Sequence, residues 1–168
     1  MKLDFDVYVV GEQPLPVDTL AKSIFWAKVV ARFNEIWAPA GLGVGEVSFT
    51  AIVGDQAKKF RHVDNIGAPD DSNELPAMFK LAGKLKPKSN RVALFLVATL
   101  NNDGQPVAKG VTGQIGGVSG AIGQRFGAIA MATDAVDVAK FMKADSSGAA
   151  AGLEYGHVWA HEVGHFLG

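Results

Sequence analysis

The residues best suited to chemistry lie at the C-terminal end of the sequence, where two histidines are separated by three residues. His161 and His165 have the i, i+4 spacing that places two side chains on one face of an α-helix, one turn apart. Imidazole nitrogens bind zinc at about 2.0–2.1 Å, and this spacing allows both rings to reach one ion. The sequence therefore predicts a Zn²⁺ site with His161 and His165 as two of its ligands.

Glu162 directly follows the first of these histidines and is the candidate catalytic residue. In a helix with the H-E-x-x-H pattern the glutamate is not a ligand, but its carboxylate lies beside the metal. Zinc lowers the pKa of a water molecule to about 7 and polarises a carbonyl group, so a neighbouring carboxylate can act as base and then as acid. The pattern is typical of metal-assisted peptide hydrolysis.

The alternative is that these three residues came together by chance on a surface helix. A pattern with three fixed positions should arise by accident in roughly one in a few hundred chains of this length. The neighbouring residues Val158, Trp159, Ala160, Val163 and Leu167 are mostly apolar. They predict a helix buried on most sides, where polar side chains need a partner, and so they favour the metal site.

Only histidine and carboxylate side chains can hold this metal, because the sequence contains no cysteine. His157 shares the helix face of His161 and is an alternative third ligand. It lies about 12 Å along the axis from His165, however, and three rings in a row do not readily converge on one ion. His62, in a polar loop, is a weaker alternative, and a carboxylate or a water molecule could also complete the coordination.

The bulk composition is that of an ordinary globular protein. The 168 residues suit one domain, and 16 basic against 17 acidic residues give no indication of a nucleic-acid partner. No run approaches about 18 apolar residues, which argues against a membrane span, and two acidic residues near the start argue against a secretory signal. The expected partner is a peptide or protein substrate, with no nucleic acid and no membrane, and the oligomeric state stays open.

The elements that must position the histidine helix begin in the order β-α-β. Residues 5–10 and 47–53 are β-branched, apolar runs that end at glycine, which predicts two strands. Residues 20–37 carry apolar side chains at helical spacing, and Asp18 or Thr19 can cap them. We expect one long helix of about six turns between the strands.

The second half of the sequence continues this pattern. Residues 91–100 form the most continuous apolar run, which predicts a strand covered on both faces at the centre of a mostly parallel sheet. The polar segment 55–68 is expected to be irregular, and a short helix should run from Ser72 to Gly83. The remaining predictions are a glycine-weakened edge strand within 110–120, a strand at 128–133, an amphipathic connection at 134–144 and a final helix at 153–167.

The C-terminal segment resembles the active-site helix of the metzincin zinc metalloproteases, whose longer signature is H-E-x-x-H-x-x-G-x-x-H. His161, Glu162, His165 and Gly168 match this signature. Residues 31–42 are similar to the end of the first helix in bacterial, reprolysin-like members of the family. The third histidine of the signature and the methionine turn that follows it in the family are absent from this sequence.

The resemblance implies an α/β fold with a twisted, mostly parallel sheet of about five strands, one antiparallel edge strand, a long first helix and a C-terminal zinc-binding helix. Residues 1–168 would form the upper, N-terminal subdomain of a metalloprotease catalytic domain, with the lower subdomain missing. The implied function is a zinc-dependent endopeptidase with Glu162 as general base. By the same resemblance the protein would be secreted.

The glycine-rich segment 110–120 is similar to the edge strand on which metzincin substrates lie. A substrate strand could pair with its backbone, because glycines permit close approach. The candidate substrate-binding residues are Gly113, Gln114, Ile115, Gly116 and Gly117. The alternative is that the glycines only shape a surface hairpin.

A second hypothesis belongs to a different functional class. With only two histidine ligands zinc would be weakly held, and an open cleft floor would expose apolar surface to a partner or a second copy. The chain would then be a non-catalytic binding or interaction module that keeps the metzincin upper fold and an incomplete zinc site.

Overall fold

A computed structural model of the chain describes residues 1–11, 17–66, 68, 73–86, 90–113, 127–133 and 146–168. Within these ranges the fold is α/β, and a five-stranded sheet separates two layers of helices. The strands are β1 (Lys2–Val10), β2 (Gly43–Ile52), β3 (His62–Val63), β4 (Val92–Val97), β5 (Thr99–Asn102), β6 (Gln105–Pro106), β7 (Gly110–Thr112) and β8 (Ala128–Ala132). The α-helices are α1 (Val17–Ala21), α2 (Ile24–Trp37), α3 (Gly54–Phe60), α4 (Leu75–Leu85) and α5 (Ser146–Leu167).

The main sheet has the strand order β2-β1-β4-β8-β7. Neighbouring strands are parallel except at one edge, where β7 runs antiparallel to β8 with Val111 opposite Ala130. The prediction of a mostly parallel five-stranded sheet with one antiparallel edge strand is therefore confirmed, and β4 occupies the predicted central position. Strands β3, β5 and β6 form a separate three-stranded sheet.

Two hydrophobic cores lie on opposite faces of the main sheet. Successive strand residues point to opposite faces, so β1 supplies Val7 and Val9 to one core and Tyr8 and Val10 to the other. The first core packs against α2 and α5, and the second packs against α3 and α4. Strand β4 is buried along nearly its whole length, as a strand covered on both faces must be.

Helix α5 is held in one position by close packing against α2 and the sheet. A Cβ atom at Gly156 would lie only 2.6 Å from the carbonyl oxygen of Val29, so the backbones of α5 and α2 approach each other where no side chain intervenes. Trp159 is fully buried, and its ring centroid lies 4.5 Å from that of Phe5 and 4.6 Å from that of Phe33. These contacts fix the rotation of α5 and therefore which residues it turns outward.

The single long first helix predicted for residues 20–37 is wrong, because the chain forms two helices that meet at Ser23. Ser23 is the N-cap of α2 and has an extended backbone, with ψ at 154°. Its Oγ accepts a hydrogen bond from the Trp26 amide at 3.1 Å and donates one to the Leu20 carbonyl at 2.7 Å. The side chain thereby ends the first helix and caps the second.

The apolar run at 91–100, predicted as one strand, forms β4 and β5. The amides of Ala98 and Thr99 both donate to the Arg61 carbonyl, at 2.7 and 3.4 Å, which directs the chain away from the main sheet towards β3. The segment 55–68, predicted to be irregular, contains β3 and all of α3 except its first residue, Gly54. A contact between distant segments thus divides a run that looks continuous in the sequence.

The other predicted elements shift only at their ends. Strand β2 starts at Gly43 rather than residue 47, α4 continues to Leu85 through the predicted stop at Gly83, and α5 begins at Ser146. The predicted helix start at Ser72 and the connection at 134–144 lie outside the described residues. Among the described helices, none is long and apolar enough to cross a membrane.

Candidate metal centre

The two histidines of the predicted metal site lie on the outward face of α5. Helix α5 buries Tyr155, Trp159 and Val163 against the sheet and α2. His161 is exposed and His165 is half-buried. The close packing on the inner side of the helix therefore leaves both imidazoles on the side that solvent can reach.

The imidazole rings of His161 and His165 are already close enough to share a ligand. Their Nε2 atoms are 2.9 Å apart, and the ring planes are nearly perpendicular, at 89°. Two nitrogens bound to one tetrahedral zinc ion at normal bond lengths are about 3.3 Å apart. If the two rings moved apart by a few tenths of an ångström, their nitrogen atoms would reach that spacing. The geometry of this donor pair therefore fits zinc. The same 2.9 Å distance also suits a hydrogen bond between two neutral imidazoles of opposite tautomers.

A shallow depression of about 350 Å³ surrounds this pair. One wall comes from the C-terminal end of α2, where the Trp37 indole Nε1 donates a hydrogen bond to the Ala160 carbonyl at 3.1 Å. Trp37 is half-buried and lines this depression. The residues that line the depression are Ile36, Trp37, His157, Ala160, His161, Gly164 and His165.

Glu162 lies on a different side of α5 from the depression, against the edge strand β7. Its side chain is buried, with 7% of the residue exposed. The Thr112 hydroxyl oxygen lies 2.8 Å from Glu162 Oε2 and also 2.8 Å from the Glu162 backbone carbonyl oxygen. A hydroxyl has one hydrogen, so at any moment it donates to one of these two acceptors. Thr112 is a partner of Glu162 that the sequence did not reveal.

A third protein ligand does not converge with the histidine pair in the part of the chain that is described. Among those residues, no group of three or more His, Cys, Asp or Glu side chains is placed to hold a metal ion. His157 lines the same depression as His161 and His165 but does not complete such a group. His62 lies in β3 of the second sheet, where its Nδ1 is 3.0 Å from the Thr99 hydroxyl.

The predicted substrate-binding segment begins at the edge of the sheet, as the sequence suggested. Gly113 donates its amide to the Ala128 carbonyl at 3.2 Å, so this N–H is used within the sheet. Hydrogen bonding alternates along an antiparallel strand, so the backbone groups of Gly110 and Thr112 point away from β8. Both residues belong to the segment 110–120 that was predicted to be the edge strand on which the substrate lies. Gln114, Ile115, Gly116 and Gly117 lie outside the described residues.

No protein-family model matches this sequence, and no curated protein matches it at a significant level.

Proposed function

We propose that this chain is the upper catalytic subdomain of a metzincin-like, zinc-dependent endopeptidase. The proposal depends above all on the pairing of His161 and His165, whose Nε2 atoms lie 2.9 Å apart beside an open depression. Glu162 lies on the next position of the same helix, and the neighbouring sheet edge is antiparallel. The likeness to the bacterial reprolysin-like type, and with it a secreted location, belongs to the same proposal.

His161 and His165 would hold the zinc ion through their Nε2 atoms. When bound, zinc would lower the pKa of a water molecule and polarise the carbonyl group of the substrate. Glu162 would accept the proton of that water on its carboxylate and deliver it to the leaving amine. The carboxylate is buried against β7, the strand beside which the substrate would lie.

The substrate would lie as an extended strand beside β7. Backbone groups of Gly110 and Thr112 point away from β8, and an added strand could hydrogen-bond to them. Main-chain pairing of this kind gives affinity without selecting particular side chains. The proposed substrate class is therefore an unfolded or loop segment of a peptide or protein.

Zinc uptake and peptide cleavage together test the proposal. The purified chain should take up one equivalent of zinc, and His161→Ala or His165→Ala should abolish this uptake. His157→Ala is the matched control, because His157 lines the same depression but is not a proposed ligand. A correctly folded chain that takes up no zinc at micromolar free metal would contradict the proposal.

Cleavage is measured with a quenched fluorescent peptide library. We expect cleavage that a chelator stops and added zinc restores. Glu162→Gln should reduce cleavage by about 100-fold or more, the range over which general acid-base groups act, and should leave zinc uptake unchanged. Equal cleavage by Glu162→Gln and the unsubstituted chain would remove Glu162 from the mechanism.

One observation favours the second candidate function, a non-catalytic binding module of the same fold. In the described ranges the histidine pair lacks a third convergent protein ligand. Stoichiometric zinc uptake without cleavage of any library peptide would support the module and reject the endopeptidase.

A further inference from the structure

Glu162 is held by the edge strand rather than by neighbours on its own helix. Its Oε2 lies 2.8 Å from the Thr112 hydroxyl, and the two residues are fifty positions apart in the chain. The hydroxyl is also 2.8 Å from the Glu162 main-chain carbonyl, so a single side chain touches both ends of the glutamate. The single hydroxyl hydrogen can be donated to either of these Glu162 oxygens, and both arrangements hold Glu162 against β7.

Gly110 leaves the space that the Glu162 side chain occupies. A Cβ atom at this position would lie 2.7 Å from Glu162 Cγ and 2.9 Å from Glu162 Oε1. It would also lie 2.9 Å from a methyl carbon of Val158, so a larger residue would clash with two side chains of α5. Any larger residue at 110 must therefore displace the carboxylate.

We propose that Thr112 is a positioning residue that fixes the Glu162 carboxylate for proton transfer, in a space that Gly110 keeps open. This inference rests on the proposed role of Glu162 as general base. A glutamate side chain has several rotatable bonds, and proton transfer requires the carboxylate within hydrogen-bond reach of the reacting water. The Thr112 hydroxyl selects one arrangement among those rotamers.

The same two residues would also place the substrate. Their side-chain positions face Glu162, while their backbone groups point to the outer edge of the sheet. A substrate strand paired with Gly110 and Thr112 would therefore have a defined position relative to the Glu162 carboxylate, because the same short strand, β7, contacts both of them. The edge strand would align the scissile bond and the carboxylate with each other.

Kinetics of a small set of variants test this role. Thr112→Val keeps the shape of the side chain and removes its hydroxyl, whereas Thr112→Ser keeps the hydroxyl. Loss of a hydrogen bond to a charged group should lower kcat by about 10- to 100-fold in Thr112→Val, with KM changed less than about twofold. Thr112→Ser should restore most of kcat, and Gly110→Ala should show a comparable loss.

Thr50→Val is the matched control, because it makes the same change on β2, the opposite edge strand of the sheet. Zinc uptake should be the same in all variants, since none alters His161 or His165. If Thr112→Val keeps the kcat of the unsubstituted chain, or loses no more than Thr50→Val, the inference is overturned.

A readout that does not depend on cleavage separates this inference from the proposed function. Unfolding equilibria of Thr112→Val, Glu162→Ala and the double variant form a mutant cycle. We expect the effects on the unfolding equilibrium constant to be coupled by about fivefold or more. If the unsubstituted chain cleaves no peptide, the endopeptidase proposal fails, and the coupling still shows that Thr112 fixes Glu162. Additive effects would overturn the inference whether or not cleavage occurs.

Discussion

Alanine in place of Gly156 should destabilise this protein, whereas the same substitution at Gly164 of the same helix should not. A Cβ atom at Gly156 would lie 2.6 Å from the Val29 carbonyl oxygen and 2.7 Å from Arg32 Cβ. At Gly164 the nearest atom is a carbon of the Trp37 ring, at 3.5 Å, which is an ordinary van der Waals contact. The two substitutions are chemically identical, so their difference isolates the close approach of α5 and α2.

The expected size follows from two opposing effects. Overpacking costs about 1–3 kcal/mol, and the upper part of that range applies at Gly156 because the clashing oxygen belongs to a helix backbone that cannot rotate away. Alanine is more favourable than glycine in a helix interior by about 0.8–1.0 kcal/mol. Gly156→Ala should therefore lower the free energy of unfolding by about 2 kcal/mol. Gly164→Ala should change it by between zero and about 1 kcal/mol in the stabilising direction.

Urea denaturation of both variants beside the unsubstituted chain measures these differences. Thermal unfolding gives a second measurement. A loss of about 2 kcal/mol should lower the melting temperature of Gly156→Ala by about 4–8 °C, because each kcal/mol shifts it by about 2–4 °C in a chain of this size. If Gly156→Ala and Gly164→Ala prove equally stable, the helices do not cross closely at Gly156. The account of how α5 is held would then be refuted.

Two further predictions concern residues away from the histidine pair. Ser23→Ala should lower the free energy of unfolding in urea by about 1 kcal/mol, because α2 loses its N-cap, and no change would show that the cap does not stabilise the helix start. Burial and the charge of Asp6 raise the pKa of Tyr8 from 10.0 to about 12. The neutral phenol therefore adds stability below a pH of about 10, which is lost as the pH rises towards 12, and Tyr8→Phe should flatten this alkaline decline in urea titrations. An equally steep decline in Tyr8→Phe would assign the pH dependence to another group.

The position of α5 connects these predictions to the proposed chemistry. His161 and Glu162 are adjacent in sequence, yet one faces the open depression and the other faces β7. A small rotation of α5 would move both side chains together. A substitution that forces α5 away from α2 at Gly156 is therefore expected to weaken zinc uptake as well as stability, which a zinc titration of Gly156→Ala would measure.

Local spacing in the sequence determined the histidine pair and the outline of the fold. The interval between His161 and His165 is a property of one helix, so both rings lie on one face of it, where their Nε2 atoms are 2.9 Å apart. The run around residues 92–97 was placed correctly at the centre of the sheet, because a strand covered on both faces must be apolar throughout. These features depend on periodicity within a single element.

One local signal was present in the sequence but was outweighed by the apolar spacing on both sides of it. Ser23 is a good N-cap residue, but the apolar spacing on both sides of it continues without interruption, so one helix was predicted where two form. The division between β4 and β5 depends instead on the Arg61 carbonyl, which receives the amides of Ala98 and Thr99. No pattern within residues 91–100 contains that information.

Only the tertiary structure decided what surrounds Glu162. The sequence identified this residue from its place between two histidines, but Thr112 and Gly110 are about fifty residues away and belong to a different element. Their contacts exist because β7 pairs with β8 at the sheet edge while α5 is held against α2 and the same sheet. Spacing along one helix can bring two ligands together, but the partner of the glutamate depends on how a strand and a helix pack in three dimensions.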